Sequence, residues 1–202
     1  MLKLFHAPRT RSARVIWLLE ELGDVPYSVE TKTFKVPLEK LFSQDTPHGK
    51  FPSLVDGDVS LFESGAIIQY ILERYGNGRL EPEVRSPLRG RYLQWIHFAE
   101  STGCTALNLI GWYGFVRADD ERFKPVLEEM HGWARSSFGV LEKGLGDQDY
   151  LLGAAFSAAD IMTGYTVNMA KVFGVALESF PAVSSYLEKL STRPAFQKAM
   201  AL

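Results

Sequence analysis

The sequence predicts a small α/β domain followed by an all-α helical domain. Residues 1–76 alternate short apolar runs with helical stripes, residues 76–87 gather turn formers, and residues 88–202 show helical spacing alone. Strands and helices kept to the first part, with helices only in the second, make a restrictive architecture.

Residues 2–5 form a short apolar run, read as a buried strand. Val15, Leu18, Leu19 and Leu22 then fall at i, i+3, i+4 and i+7, the stripe of an amphipathic helix. Glu20 and Glu21 lie off the stripe, and Gly23 is placed to end the helix. Tyr27-Ser28-Val29-Glu30 alternates with period two, which predicts a second strand after a strand–helix crossover. A less regular stretch at residues 38–42 is read as a helix. Residues 53–55 and 59–61 flank Asp56-Gly57-Asp58, a tight-hairpin signal. Ile67, Ile68, Ile71, Leu72 and Tyr75 mark the next helix. This order of elements resembles that of thioredoxin-like domains.

Gly76-Asn77-Gly78, Pro82 and Pro87 make residues 77–87 the natural linker. Beyond it, Leu88, Tyr92, Trp95 and Ala99 open a long helix, and Phe123, Val126, Leu127 and Met130 mark a second after Asp119-Asp120. Ser157 opens a third. Pro181 suits the first turn of a fourth, whose face carries Val183, Tyr186, Leu187 and Leu190. Thr192-Arg193-Pro194 breaks the chain before a short last helix around Phe196. The expected division is therefore residues 1–76, a linker at 77–87, and a helical domain over 88–202.

Composition excludes several classes. The chain has 202 residues, 46% of them hydrophobic, and only 23% charged, so it buries a core and is not disordered. A formal charge of −2 sets up no field to recruit nucleic acid or an acidic membrane. Arg79, Arg85, Arg89 and Arg91 are interleaved with Glu81 and Glu83 and read as a solvated face. Cys104 is the only cysteine, so no intramolecular disulfide forms and no thiolate zinc site is expected. His6, His48, His97 and His131 lack metal-ligand spacing, and no metal is expected. The N-terminal apolar run is too short for a signal-peptide core, and no stretch approaches ~18 consecutive apolar residues. A cytoplasmic globular protein is the expectation.

The residues that can carry chemistry lie in the first part. A proline entering a strand, as in Phe51-Pro52, marks a fixed turn; if that bond is cis, Phe51 presents its backbone N–H and C=O to an extended peptide. Taken alone, the dipeptide is an ordinary strand-initiating proline. Glu63-Ser64 stands directly before the Ile67–Ile71 stripe, where unpaired N–H groups and the helix dipole favour a carboxylate. Ser64 adds a hydroxyl and Glu63 pairs with an ammonium, so a ligand bearing α-amino and α-carboxyl groups satisfies both. Taken alone, Ser64 is more commonly a plain N-cap.

Together, Pro47-His48-Gly49-Lys50-Phe51-Pro52-Ser53-Leu54-Val55-Asp56-Gly57, then Glu63-Ser64 and Ile68-Gln69-Tyr70-Ile71, resemble the central signature of glutathione transferases. Ser157-Ala158-Ala159-Asp160 is similar to the family's helix-capping box, with Phe156 and Ile161 placed as a staple. The resemblance spans essentially the whole chain. It implies that Phe51, ahead of cis-Pro52, pairs with the cysteinyl backbone of glutathione. Glu63 and Ser64 hold its γ-glutamyl end, and Lys50 lies near the glycyl end. It implies thiol activation by a hydroxyl at the start of the first helix, in His6-Ala7-Pro8-Arg9-Thr10-Arg11-Ser12-Ala13-Arg14. Thr10 is the matching residue, where a bacterial-type subgroup carries serine, and Ser12 is the alternative. That segment has no tyrosine or cysteine, against the tyrosine type and the cysteine type that performs disulfide exchange.

The resemblance further implies a homodimer that conjugates glutathione to a small hydrophobic electrophile, in detoxification. Leu107, Ile110, Trp112, Tyr113 and Phe115 of the helical domain are candidates for holding that electrophile, and also for plain core. Two alternatives stay open: a non-catalytic binding or assembly module on the same fold, and a glutathione-dependent peroxidase or isomerase.

Overall fold

The computed structural model describes residues 1–33, 49–117 and 121–202. The helix expected at residues 38–42, together with Pro47, His48 and Asp119-Asp120, lies outside the described residues. The chain divides into two units: residues 1–81 with residues 191–202, and residues 82–190.

In the first unit a four-stranded sheet has the order β2-β1-β3-β4. Strands β1 (Leu2–His6) and β2 (Tyr27–Thr31) pair parallel, which requires the crossover that helix α1 (Ser12–Leu22) supplies. Strand β3 (Ser53–Asp56) runs antiparallel to β1 and to β4 (Val59–Phe62), and Gly57 turns the β3–β4 hairpin at φ 59°. Leu4 of the central strand pairs with Val29 on one side and Leu54 on the other; Leu4 and Leu54 are buried. Helix α2 (Ser64–Ile71) follows, and Leu72–Gly76 continues it with a wider turn.

Helix α1 differs from the expected single stripe. Ile16 and Trp17 are as buried as Val15 and Leu18, so the helix is covered on more than one side. The cover is α8 (Pro194–Ala201), the last helix of the chain, which packs on α1 within this unit. Trp17 meets Phe196 edge-to-face at 4.9 Å between ring centroids. Arg193 grips Glu21 with two hydrogen bonds of 2.7 Å, and Lys198 pairs with Glu20 at 2.7 Å. The two glutamates off the apolar stripe are thus anchors for α8. Gly23, at φ 74°, closes α1 as expected by donating its N–H to Leu19 O.

The second unit is helical. Its helices are α3 (Arg89–Glu100), α4 (Thr105–Gly111), α5 (Lys124–Leu145), α6 (Ala158–Val172) and α7, which spans Pro181–Ser191. α3 packs on α6 and α4 on α5. Thr166 Oγ1 of α6 donates to Ala99 O of α3 at 3.3 Å, so the buried hydroxyl is satisfied. Asp160 reaches back from α6 to the Ser157 N–H at 2.8 Å, completing the expected capping box. Glu142 of α5 accepts the Ala182 and Val183 N–H groups at 2.9 Å each, capping α7 from outside.

Candidate functional site

The site lies in the first unit, where the chain leaves β1 and enters α1. Residues 7–11 make the turn, and Arg9 adopts φ 62°, a region uncommon for a side chain with a Cβ. The turn aims two hydroxyls at one another. Thr10 Oγ1 lies 2.7 Å from Ser12 Oγ and donates to Ala7 O at 2.7 Å. Ser12 Oγ lies 2.7 Å from His6 Nδ1 and accepts the Ala7 N–H at 3.4 Å. Burial separates the pair: Ser12 is 0% exposed, whereas Thr10 is half-buried and opens to solvent. His6 is buried as well. That burial pulls its pKa below the ordinary value, outweighing an opposite pull from the Leu202 backbone. Nε2 of His6 has no hydrogen-bond partner of normal geometry among the described residues.

Phe51 joins this turn through packing, forming one buried cluster with Phe5 and Ala7, against which Val55 lies. The Phe51–Pro52 peptide is cis, and Pro52 is buried. Lys50 beside it is exposed. Glu63, at φ 73°, is the residue before α2 and is exposed. Its backbone carbonyl accepts the Ile67 N–H at 2.9 Å. Ser64, the first residue of α2, is 2% exposed, and its hydroxyl accepts a hydrogen bond of 3.1 Å from Arg14 Nη1. Arg14 is the one buried arginine among the described residues, at 0% exposure, and it ties the start of α1 to the start of α2.

Thr10, Ser12, Phe51 and Ser64 are therefore held around one corner of the sheet, by Ala7 on one side and Arg14 on the other. Lys50 and Glu63 flank Phe51 and Ser64 in the chain, on the exposed side. Two contributors were not singled out from the residues themselves. Arg14 sits in register with Leu18 and Leu22, four and eight residues on, and a cation on that buried stripe was the available signal. His6, at the end of a buried strand, carried no such signal.

In the second unit, Leu107 and Ile110 are buried core residues of α4. Phe115 is 61% exposed and stacks on Phe173, and Tyr113 packs on Phe123 at 4.3 Å. Among the described residues, no group of His, Cys, Asp or Glu side chains is placed to hold a metal ion, and no helix is long and apolar enough to cross a membrane.

Residues 1–73 match the family described as glutathione S-transferase, N-terminal domain, and residues 107–194 match its C-terminal domain. The chain is 30% identical to the glutathione S-transferase-like protein OpS6 of Beauveria bassiana, with 99% of this chain and 94% of that one aligned. It is 29% identical to the disulfide-bond oxidoreductase YfcG of Escherichia coli over the same shares, 99% and 94%. Among solved structures, a glutathione transferase family member from Pseudomonas fluorescens, with two glutathione bound, superposes with a TM-score of 0.85 at 26% identity. That match covers 98% of this chain and 92% of that one. A mixed four-stranded sheet with a turn of paired hydroxyls, the helical second unit and these matches lead to one conclusion: the chain belongs to the glutathione transferase family.

Proposed function

We propose that the chain is a cytoplasmic, homodimeric glutathione transferase that conjugates the glutathione thiolate to a small hydrophobic electrophile, using Thr10 to stabilise the thiolate. The observation that carries this reading is the contrast in burial between two hydroxyls in contact: Thr10 opens to solvent and Ser12 does not. A ligand sulfur arriving at the turn meets Thr10 first.

Glutathione lies extended along the corner. Its γ-glutamyl ammonium pairs with Glu63, and its carboxylate takes the Ser64 hydroxyl and the first N–H groups of α2. Phe51 offers main-chain groups to the cysteinyl unit, beside Pro52, and Lys50 lies near the glycyl end. Arg14 keeps the Ser64 hydroxyl fixed and adds positive charge beneath the carboxylate.

An ordinary thiol has a pKa of about 8.5, and bringing it two units lower needs roughly 2.7 kcal/mol of preferential thiolate stabilisation. One hydroxyl donor together with the α1 N-terminus is of that order. The thiol proton leaves to solvent. The sulfur lone pair then forms a C–S bond to the electrophile as its leaving group departs.

The assay is conjugation of chlorodinitrobenzene by the purified chain. Thr10→Val is expected to lower kcat/KM roughly 100-fold, the usual effect of removing one preorganised donor. Full activity in that variant would remove Thr10 from the mechanism.

A second reading has its own support, the similarity to a disulfide-bond oxidoreductase. Cys104, the only cysteine, is buried in the second unit. Disulfide reduction at this site would therefore proceed from glutathione itself. The bound thiolate attacks one sulfur of a disulfide, forms a mixed disulfide and expels the other as thiolate; a second glutathione thiolate then attacks the glutathionyl sulfur, releasing the remaining substrate thiolate and leaving as glutathione disulfide. Turnover of a small disulfide by a Cys104→Ala variant, measured beside the conjugation assay, separates the two activities.

A further inference from the structure

We propose that His6 is a positioning residue for the thiol-activating hydroxyl, acting through Ser12 to fix Thr10 as a hydrogen-bond donor. This rests on the reading that Thr10 meets the glutathione sulfur.

The number of available protons fixes the direction of each hydrogen bond in the turn. Three contacts of 2.7 Å run in series: His6 Nδ1 to Ser12 Oγ, Ser12 Oγ to Thr10 Oγ1, and Thr10 Oγ1 to Ala7 O. Each needs one proton, and the last ends on a carbonyl, which only accepts. Thr10 therefore spends its proton on Ala7 O, and Ser12 spends its own on Thr10. Nδ1 of His6 must then donate to Ser12. With the imidazole proton on Nε2 instead, two protons would serve three contacts. A second approach of Ser12 Oγ to Ala7 O, at 3.3 Å, is longer and does not alter the count.

The direction of the chain matters for the thiol. With Ser12 donating into Thr10 Oγ1, one acceptor position of Thr10 is filled, and Thr10 is disposed to give its proton rather than receive one. A thiolate accepts that proton, and a thiol has no need of it. When glutathione binds, the Thr10 hydroxyl swings from Ala7 O to the sulfur. The two bonds behind it remain donors in line, polarising it further. Burial of His6 keeps the imidazole neutral, and its lone proton stays committed to Ser12.

The test measures the apparent pKa of enzyme-bound glutathione in the full chain, from thiolate absorbance across pH, beside the pH profile of kcat/KM. Ser12→Ala and His6→Leu are each expected to raise that pKa by about one unit, roughly tenfold less thiolate at neutral pH. The double variant should go no further than Ser12→Ala alone, because both cut one chain. His6→Asn, whose side-chain amide can donate where Nδ1–H did, should recover more than half of the shift. KM for glutathione should change little beside kcat. Charged groups near the ring are Arg9, Arg11 and Arg14 along the chain and Lys32, whose backbone N–H donates to His6 O at 2.7 Å, and the Leu202 backbone after α8 also acts on it. All are common to every variant, so differences between variants report the chain of hydroxyls.

Wild-type titration in both Ser12→Ala and His6→Leu, with a raised pKa in Thr10→Val, would overturn this proposal and leave the Thr10 reading standing. An unshifted pKa in Thr10→Val would instead overturn the Thr10 reading, and this one with it. Circular dichroism shows which variants fold; should His6→Leu fail, Ser12→Ala decides.

Discussion

Thr10 and Ser12 carry the same functional group two residues apart, and what distinguishes them is the backbone turn around Ala7. Ser12 is pulled inward by His6 and the Ala7 N–H, while Thr10 rests on the Ala7 carbonyl with one side open. The same inward pull places a titratable group in the interior, with a consequence for stability. Burial lowers the pKa of folded His6 below the ordinary value of about 6.5, so the unfolded chain binds more protons as pH falls. The stabilisation from neutral His6 is present above about 6.5 and is lost as pH drops through the folded pKa. Urea midpoints of the wild type should therefore fall faster below that pH than those of His6→Asn; parallel curves would show that His6 does not titrate in that window. At this scale, Glu63 and Ser64 stand out as candidates by their chemistry at a helix start and Phe51 by the proline after it, whereas Thr10 stands out only through the family resemblance. The His6–Ser12 contact was not legible, because a β-strand end and a helix start meet only after the turn is built.

Among the elements, α6 shows how much one capping residue can hold. The Asp160 carboxylate accepts from Ser157 N and Leu151 N, from the Ser157 hydroxyl, and from the Tyr186 hydroxyl of α7 at 3.0 Å. Asp160 is fully buried, so its removal leaves four donors without an acceptor and without water. Asp160→Ala is expected to cost about 3 kcal/mol or more, read from the denaturant midpoint. A loss near 1 kcal/mol would mean that water enters and repairs the site. The start of α6 was legible from Ser157 and Asp160, three residues apart, because a capping box is a local arrangement. The partners Leu151 and Tyr186 were not, since they come from other segments. Helix α1 makes the same point in reverse. Its apolar stripe was plain, but Ile16 and Trp17 gained burial from a helix that begins with Pro194.

Across the whole chain, the first unit is completed by residues 191–202, although the sequence reads as sheet first and helices after. Phe196 on Trp17 and Arg193 on Glu21 hold α8 in place. Phe196→Ala removes a side chain only 6% exposed and should cost about 3 kcal/mol. In thermal unfolding that corresponds to a drop of roughly 6–12 °C, and an unchanged melting temperature would mean that α8 contributes no stability to the first unit. Local chemistry determined the fold class, the capping box and most strand and helix starts, though not that of α4 at Thr105–Gly111, because periodicity, turn residues and helix-end preferences act over a few residues. Only the tertiary structure decided that Thr10 stays half-buried while Ser12 is fully buried, that Arg14 donates to Ser64, and that the last helix covers the first. Those outcomes depend on packing between segments distant in the chain, and short-range preferences carry no information about which partner fills a buried face.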